Sequence, residues 1–197
     1  MNWMEILKNR RNIKIPKKKK GGEIDTSRFY SKPAIRDDSD IQKEKDLLKV
    51  KTMFNGLFES TLEDIRKLRN KLDKIDSKRY DWHVANDEEE SAAVYSKKAE
   101  EELRPLLKRA EEISKEYESL YDNDSLQTKM KKDMYARLKS PMRNYDEQTR
   151  KRMTPLVKKV YLDKAQKEQL EKVKKEFRST KSQILDYLKY DLGEKRL

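Results

Sequence analysis

The sequence predicts an all-α protein, an elongated helical bundle or coiled-coil hairpin preceded by a disordered basic N-terminal arm. Three observations carry that expectation. Turn formers are scarce, with four Gly and five Pro in 197 residues, whereas a barrel or sandwich needs such residues every ten or so positions. Hydrophobic residues make up only 34% of the chain, below the usual range of about 45–50%, so burial has to be concentrated in narrow seams if it is to offset backbone entropy. The apolar residues present recur at three- and four-residue steps over long stretches, which is the period of an amphipathic helix.

Residues 1–40 read as the arm. Trp3, Ile6 and Leu7 fit one or two helical turns, and Ile13 and Ile15 follow. Pro16 stops any helix, Lys17 to Lys20 repel one another, and Gly21-Gly22 release the backbone. Residues 41–121 read as a long helical hairpin. Leu47, Val50, Phe54 and Leu57 step by 3, 4 and 3, and Ile65, Leu68, Leu72 and Ile75 repeat that series. Asp40 is the expected N-cap, Gly56 marks a bend or a close backbone approach, and the helix is expected to end near Tyr80.

A connection over 81–86 leads to Asp87 and Glu90 at capping-box spacing. Ala92, Tyr95, Ala99, Leu103, Leu106, Ala110, Ile113, Tyr117 and Leu120 then hold the helical period, with a kink expected at Pro105. Residues 122–197 read as a short helix, an irregular linker and a long C-terminal helix. Asp122 to Ser125 form a turn and cap, and Leu126, Met130, Met134 and Leu138 define the short helix. Residues 140–153 read as irregular. Thr154-Pro155 opens the last helix, expected over 155–191, with Gly193 just past its end.

Net charge is +12, but its distribution is basic, acidic, basic. Residues 1–36 carry +8 (11 basic, 3 acidic), residues 37–124 carry −7 (17 and 24), and residues 125–182 carry +11 (18 and 7). Within the expected helices, 43–79 and 155–191 are each +4 and 87–118 is −5. An acidic helix between two basic ones favours their packing together.

The chemistry that these residues exclude is broad. With no Cys, disulfides, Cys-based zinc sites and thiol nucleophiles are ruled out. His83 is the single histidine; it limits histidine triads to one residue and is expected to pack in, or be exposed on, a loop. Gly21-Gly22 is not followed by Lys-Ser or Lys-Thr, so no phosphate-cradling loop is present. Asp87 to Glu90 and Glu100 to Glu102 read as solvated helix faces. Tyr95, Tyr117, Tyr121, Met130 and Met134 read as core residues. No apolar run approaches the roughly 18 residues of a membrane span, and the apolar start is too short for a secretory signal. The expectation is a chain that is not an enzyme and uses no cofactor or metal.

What remains is positive charge seeking a partner. Arg10, Arg11, Lys14, Lys17, Lys18, Lys19 and Lys20 are candidate contacts to nucleic acid, because a flexible cationic arm binds a polyanion by releasing condensed counterions. Arg150, Lys151 and Arg152 are candidates in a second basic set that runs from Lys129, Lys131 and Lys132 through Arg137, Lys139 and Arg143 to Lys158 and Lys159. For that second set a solvated helix face is the competing expectation. An acidic protein surface is the other expected partner, homo-oligomerisation through the helical seams is open, and an anionic membrane surface ranks below both. The expected location is intracellular, in cytoplasm or nucleoid; in a eukaryote Pro16 to Lys20 also reads as a nuclear import signal.

The opening Trp3-Met4-Glu5-Ile6-Leu7-Lys8 resembles the start of small uncharacterised proteins encoded by tailed phages and environmental viral genomes. That resemblance implies a virion-associated or assembly role. A scaffolding protein acting through helix-mediated contacts is therefore the alternative to a nucleic-acid-binding structural protein.

Overall fold

The computed structural model describes residues 38–88, 91–121, 124–140 and 145–194. The chain divides into two units, Met1–Asp37 and Asp38–Leu197. The arm expected over 1–40 lies outside the described residues except for its last three.

The fold is all-α, and among the described residues no strand occurs. Helix α1 spans Asp38–Asn86, 49 residues, or about 74 Å at 1.5 Å per residue. Val50, Phe54, Leu57, Phe58, Leu62, Ile65, Leu68, Leu72, Ile75 and Trp82 are buried along it, which is the expected seam carried further. Asp40 is not the cap: it lies in the first turn, where it pairs with Lys43 at 3.0 Å. Nor do residues 81–86 form a connection. Trp82 falls seven residues after Ile75 and is 6% exposed, so burial of the indole extends the helix by almost two turns. No close approach occurs at Gly56 either, since a Cβ built there meets nothing within 4 Å.

Helix α2 spans Ala92–Tyr121. It starts at Ser91, whose carbonyl accepts the Tyr95 N–H at 3.0 Å, so Asp87 is not its cap; Glu90 lies outside the described residues. Leu107, not Leu106, joins Ala99, Leu103, Ala110, Ile113 and Tyr117 in the fully buried stripe. The helix continues through Pro105, which faces solvent.

Helix α3, Leu126–Lys139, is capped by Ser125 and buries the four residues expected of it. The segment expected to be irregular contains helix α4, Glu147–Met153, whose N-cap Asp146 accepts the Thr149 N–H. A 3₁₀ helix, Thr154–Lys159, follows with Pro155 in its first turn. The chain is then extended until helix α5, Lys164–Asp191. The single helix expected over 155–191 is therefore interrupted. Asp163 and Gln166 form a reciprocal capping box that satisfies two otherwise unpaired N–H groups and starts a new helix. In the gap Val160 and Leu162 are buried while Tyr161 is 62% exposed, the alternation of an extended strand of chain.

Cross-helix pairs set the directions. Tyr95 meets His83 and Glu116 meets Lys71, so α2 is antiparallel to α1. Gln166 meets Asn55, Glu176 meets Arg69 and Asp191 meets Arg79, so α5 is parallel to α1. Tyr117 of α2 stacks on Phe177 of α5 with ring centroids 4.1 Å apart. The C-terminal half of α1 thus sits in a three-helix bundle. Its N-terminal half is covered by α3, α4 and the 3₁₀ helix, through contacts such as Tyr145 to Met53. One continuous cluster of buried side chains joins both halves. The acidic α2 does pair with its basic neighbours, through Glu116–Lys71 and Glu118–Lys181. Such exposed pairs are worth about 0–1 kcal/mol each, so the seam holds the bundle and the charges tune it.

Candidate nucleic-acid interface

Three helical segments end close together, and each ends in positive charge. Arg137 and Lys139 occupy the last turn of α3, Arg150, Lys151 and Arg152 that of α4, and Lys158 and Lys159 that of the 3₁₀ helix. Cations are locally favoured there because the last carbonyls of a helix carry partial negative charge. Packing of these segments gathers the charges. An open groove of about 540 Å³ is lined by Tyr135, Lys139, Arg150, Lys151, Thr154, Pro155 and Lys158. It has four cations in its lining and no carboxylate.

Glu147 offsets part of that charge, at 2.6 Å from Arg150 and 3.7 Å from Lys151. Lys139 and Lys158 are in no ion pair among the described residues. Arg150 and Lys151, two of the sequence candidates, therefore lie in the groove. Arg152, the third, does not line it. Its Nε donates to Asp46 Oδ2 at 2.9 Å, and its Nη2 donates to Thr149 at 3.1 Å. The Asp46 side chain is 2% exposed, and its other oxygen accepts from Gln42 at 2.9 Å. A buried carboxylate needs partners of this kind, so Arg152 is the clasp that fastens α4 to α1. Arg10, Arg11, Lys14 and Lys17 to Lys20 lie outside the described residues.

A second polar cluster closes the far end of the bundle. His83, expected in a loop, lies instead in the last turn of α1. Its Nε2 is 2.8 Å from Asp191 and its Nδ1 is 3.0 Å from the Tyr95 hydroxyl. Arg79 donates to the same Asp191 oxygen at 3.0 Å and lies over the Tyr187 ring at 4.7 Å. Trp82 meets His83 and Tyr95 edge-on. With the ring proton on Nε2, the imidazole donates to Asp191 and accepts a hydrogen bond from the Tyr95 hydroxyl. Burial, and then the charges of Asp191 and Asp87, push the Tyr95 hydroxyl above its ordinary pKa, so it stays a neutral hydrogen-bonding group at ordinary pH. The cluster ties α1, α2 and α5 together.

Among the described residues no group of three or more His, Asp or Glu is placed to hold a metal ion. No helix among them is long and apolar enough to cross a membrane. Tyr135 and Lys158 gain their place in the groove only through packing; the sequence signal for Tyr135 was its position four residues from both Lys131 and Lys139. No protein-family model, curated protein or solved structure matches the chain.

Proposed function

We propose that this chain is a non-enzymatic helical structural protein that binds nucleic acid or another polyanion. The basic arm, with Arg10, Arg11, Lys14 and Lys17 to Lys20, supplies one contact, and the groove with Lys139, Arg150, Lys151 and Lys158 supplies the second. The observation that carries the reading is the convergence of cations from α3, α4 and the 3₁₀ helix on one groove without a carboxylate in its lining. Local helix-end preference accounts for each charge singly, but not for their sharing one concave surface. The test is binding of the full chain to nucleic acid over a salt series. Log affinity should fall linearly with log salt, by roughly 0.7–0.9 per phosphate neutralised. Deleting residues 1–22, or replacing Lys139 and Lys158 by Gln, should each weaken binding and flatten the slope. An affinity and slope indifferent to both changes would refute the proposal.

A second reading, an assembly or scaffolding protein of the kind the N-terminal resemblance implies, is favoured by a different observation. Tyr80 and Val84 of α1, Val94 of α2 and Tyr190 of α5 are all exposed, and all belong to the bundle end that contains His83. Here the chain should recover one dominant protein from nuclease-treated lysate, and Tyr80→Ser with Val84→Ser should abolish that recovery.

A further inference from the structure

The groove has an aromatic neighbour that the phosphate contacts do not use. Lys131, Tyr135 and Lys139 recur at four-residue steps on α3, so they share one helix face with successive Cβ atoms about 6 Å apart. Tyr135 and Lys139 line the groove. Lys131, one turn before Tyr135 on α3, places its Nζ 4.0 Å from the centre of the Tyr161 ring. Tyr161 follows the groove residue Lys158 by three positions and is 62% exposed. Lys131 therefore covers one face of that ring and leaves aromatic surface in solvent, linked to the groove through Lys131, one turn from Tyr135, and through Lys158, three residues before Tyr161.

An exposed aromatic ring next to a cationic track is the combination that recognises unpaired bases. Each base has a flat face that stacks on an aromatic side chain, while Lys and Arg follow the backbone. A duplex keeps those faces stacked inside itself and exposes only its backbone and the base edges in its grooves, so it would leave Tyr161 idle. A linear polyphosphate has no bases at all.

We propose that the groove takes a single-stranded segment of nucleic acid, with Tyr161 as the stacking platform and Lys139, Arg150, Lys151 and Lys158 on its phosphates. This deepens the polyanion reading and rests on it. Lys131 then holds the ring in place from the opposite face and contributes charge. The extended segment from Val160 to Leu162 sets the orientation: burying its two flanking residues turns Tyr161 outward.

The test compares three ligands of equal charge, namely a single-stranded oligonucleotide, a duplex and inorganic polyphosphate. The full chain should bind the single strand most tightly. Tyr161→Ala should weaken oligonucleotide binding about tenfold, leave its salt slope unchanged and leave polyphosphate binding unchanged. Tyr161→Phe, which keeps the ring, should retain wild-type affinity. Lys139→Gln with Lys158→Gln should weaken oligonucleotide and polyphosphate alike and lower the single-strand slope by about 0.7 per charge. Circular dichroism checks that the variants stay folded. Duplex binding as tight as single-strand binding, or an oligonucleotide affinity unmoved by Tyr161→Ala, overturns the single-strand inference while polyphosphate binding preserves the polyanion reading. Failure to bind any of the three overturns both.

Discussion

At the residue scale, the arginines of α4 separate by what they touch. Arg150 and Lys151 face the groove and share Glu147, whereas Arg152 holds a carboxylate that is almost fully buried. Arg152→Ala should therefore destabilise the fold by about 2 kcal/mol, the scale of a hydrogen bond to a charged group. Lys151→Ala should change stability by less than about 0.5 kcal/mol, as surface substitutions do. Thermal unfolding separates the two, with a drop of roughly 4–8 °C expected for the first. Asp46 sits beside Leu47, where the apolar series of α1 begins, and only the packing shows that its carboxylate is buried and needs a partner. The identity of that partner, 106 residues away, was not legible. Tyr95 carries a pH prediction. Its pKa is raised by burial, with Asp191 and Asp87 adding to the effect. The neutral phenol's stabilisation is thus complete below the unfolded value of about 10 and is lost as pH rises through the higher folded value. Melting temperature should decline over that alkaline range, and Tyr95→Phe should make the decline shallower.

At the element scale, local signals decided which segments are helical, and competing local signals decided where they stop. The seams of α1, α2 and α3 are long enough for the period to be read from sequence. Helix α4 spans seven residues, too few for a period to show, and it forms because Asp146 caps it and Met153 is buried. The break before α5 falls where the apolar spacing leaves the helical period, with Leu162 two residues after Val160 and Leu170 eight further on; the capping box makes it a boundary. Two helix interiors carry residues with poor helical propensity. A Cβ at Gly56 meets nothing within 4 Å, and Pro105 faces solvent inside α2. Gly56→Ala should stabilise by about 1 kcal/mol and Pro105→Ala by about 2–3 kcal/mol, read as a higher midpoint in chemical denaturation. A lower midpoint for Pro105→Ala would mean that the packing of α2 depends on the proline.

At the scale of the whole molecule, the charge pattern has two components. Along the bundle, acidic α2 packs against both basic α1 and basic α5 and is engaged by them through Lys71 and Lys181. Residues 125–182 keep a surplus of +11, and part of it converges on the groove. Partner binding should accordingly be strongly salt-dependent while bundle stability is only weakly so, because exposed pairs contribute little. Parallel measurements of affinity and of unfolding midpoint across the same salt series test that separation. The parallel course of α1 and α5 makes the arrangement possible: the chain must return along the N-terminal half of α1 before α5 begins, and α3, α4 and the 3₁₀ helix are that return.

The amino-acid sequence by itself determined the all-α class, the seams of α1 to α3 and the alternation of charge along the chain, since each depends on residues within a few turns of one another. Tertiary structure alone decided that α5 runs parallel to α1, that Arg152 belongs to Asp46, and that Lys139, Arg150, Lys151 and Lys158 share one groove. Those outcomes depend on pairings between segments distant in the chain, and periodicity is blind to them. A helical period reports which face of a segment is buried, while the neighbour that buries it is selected by the packing of the whole.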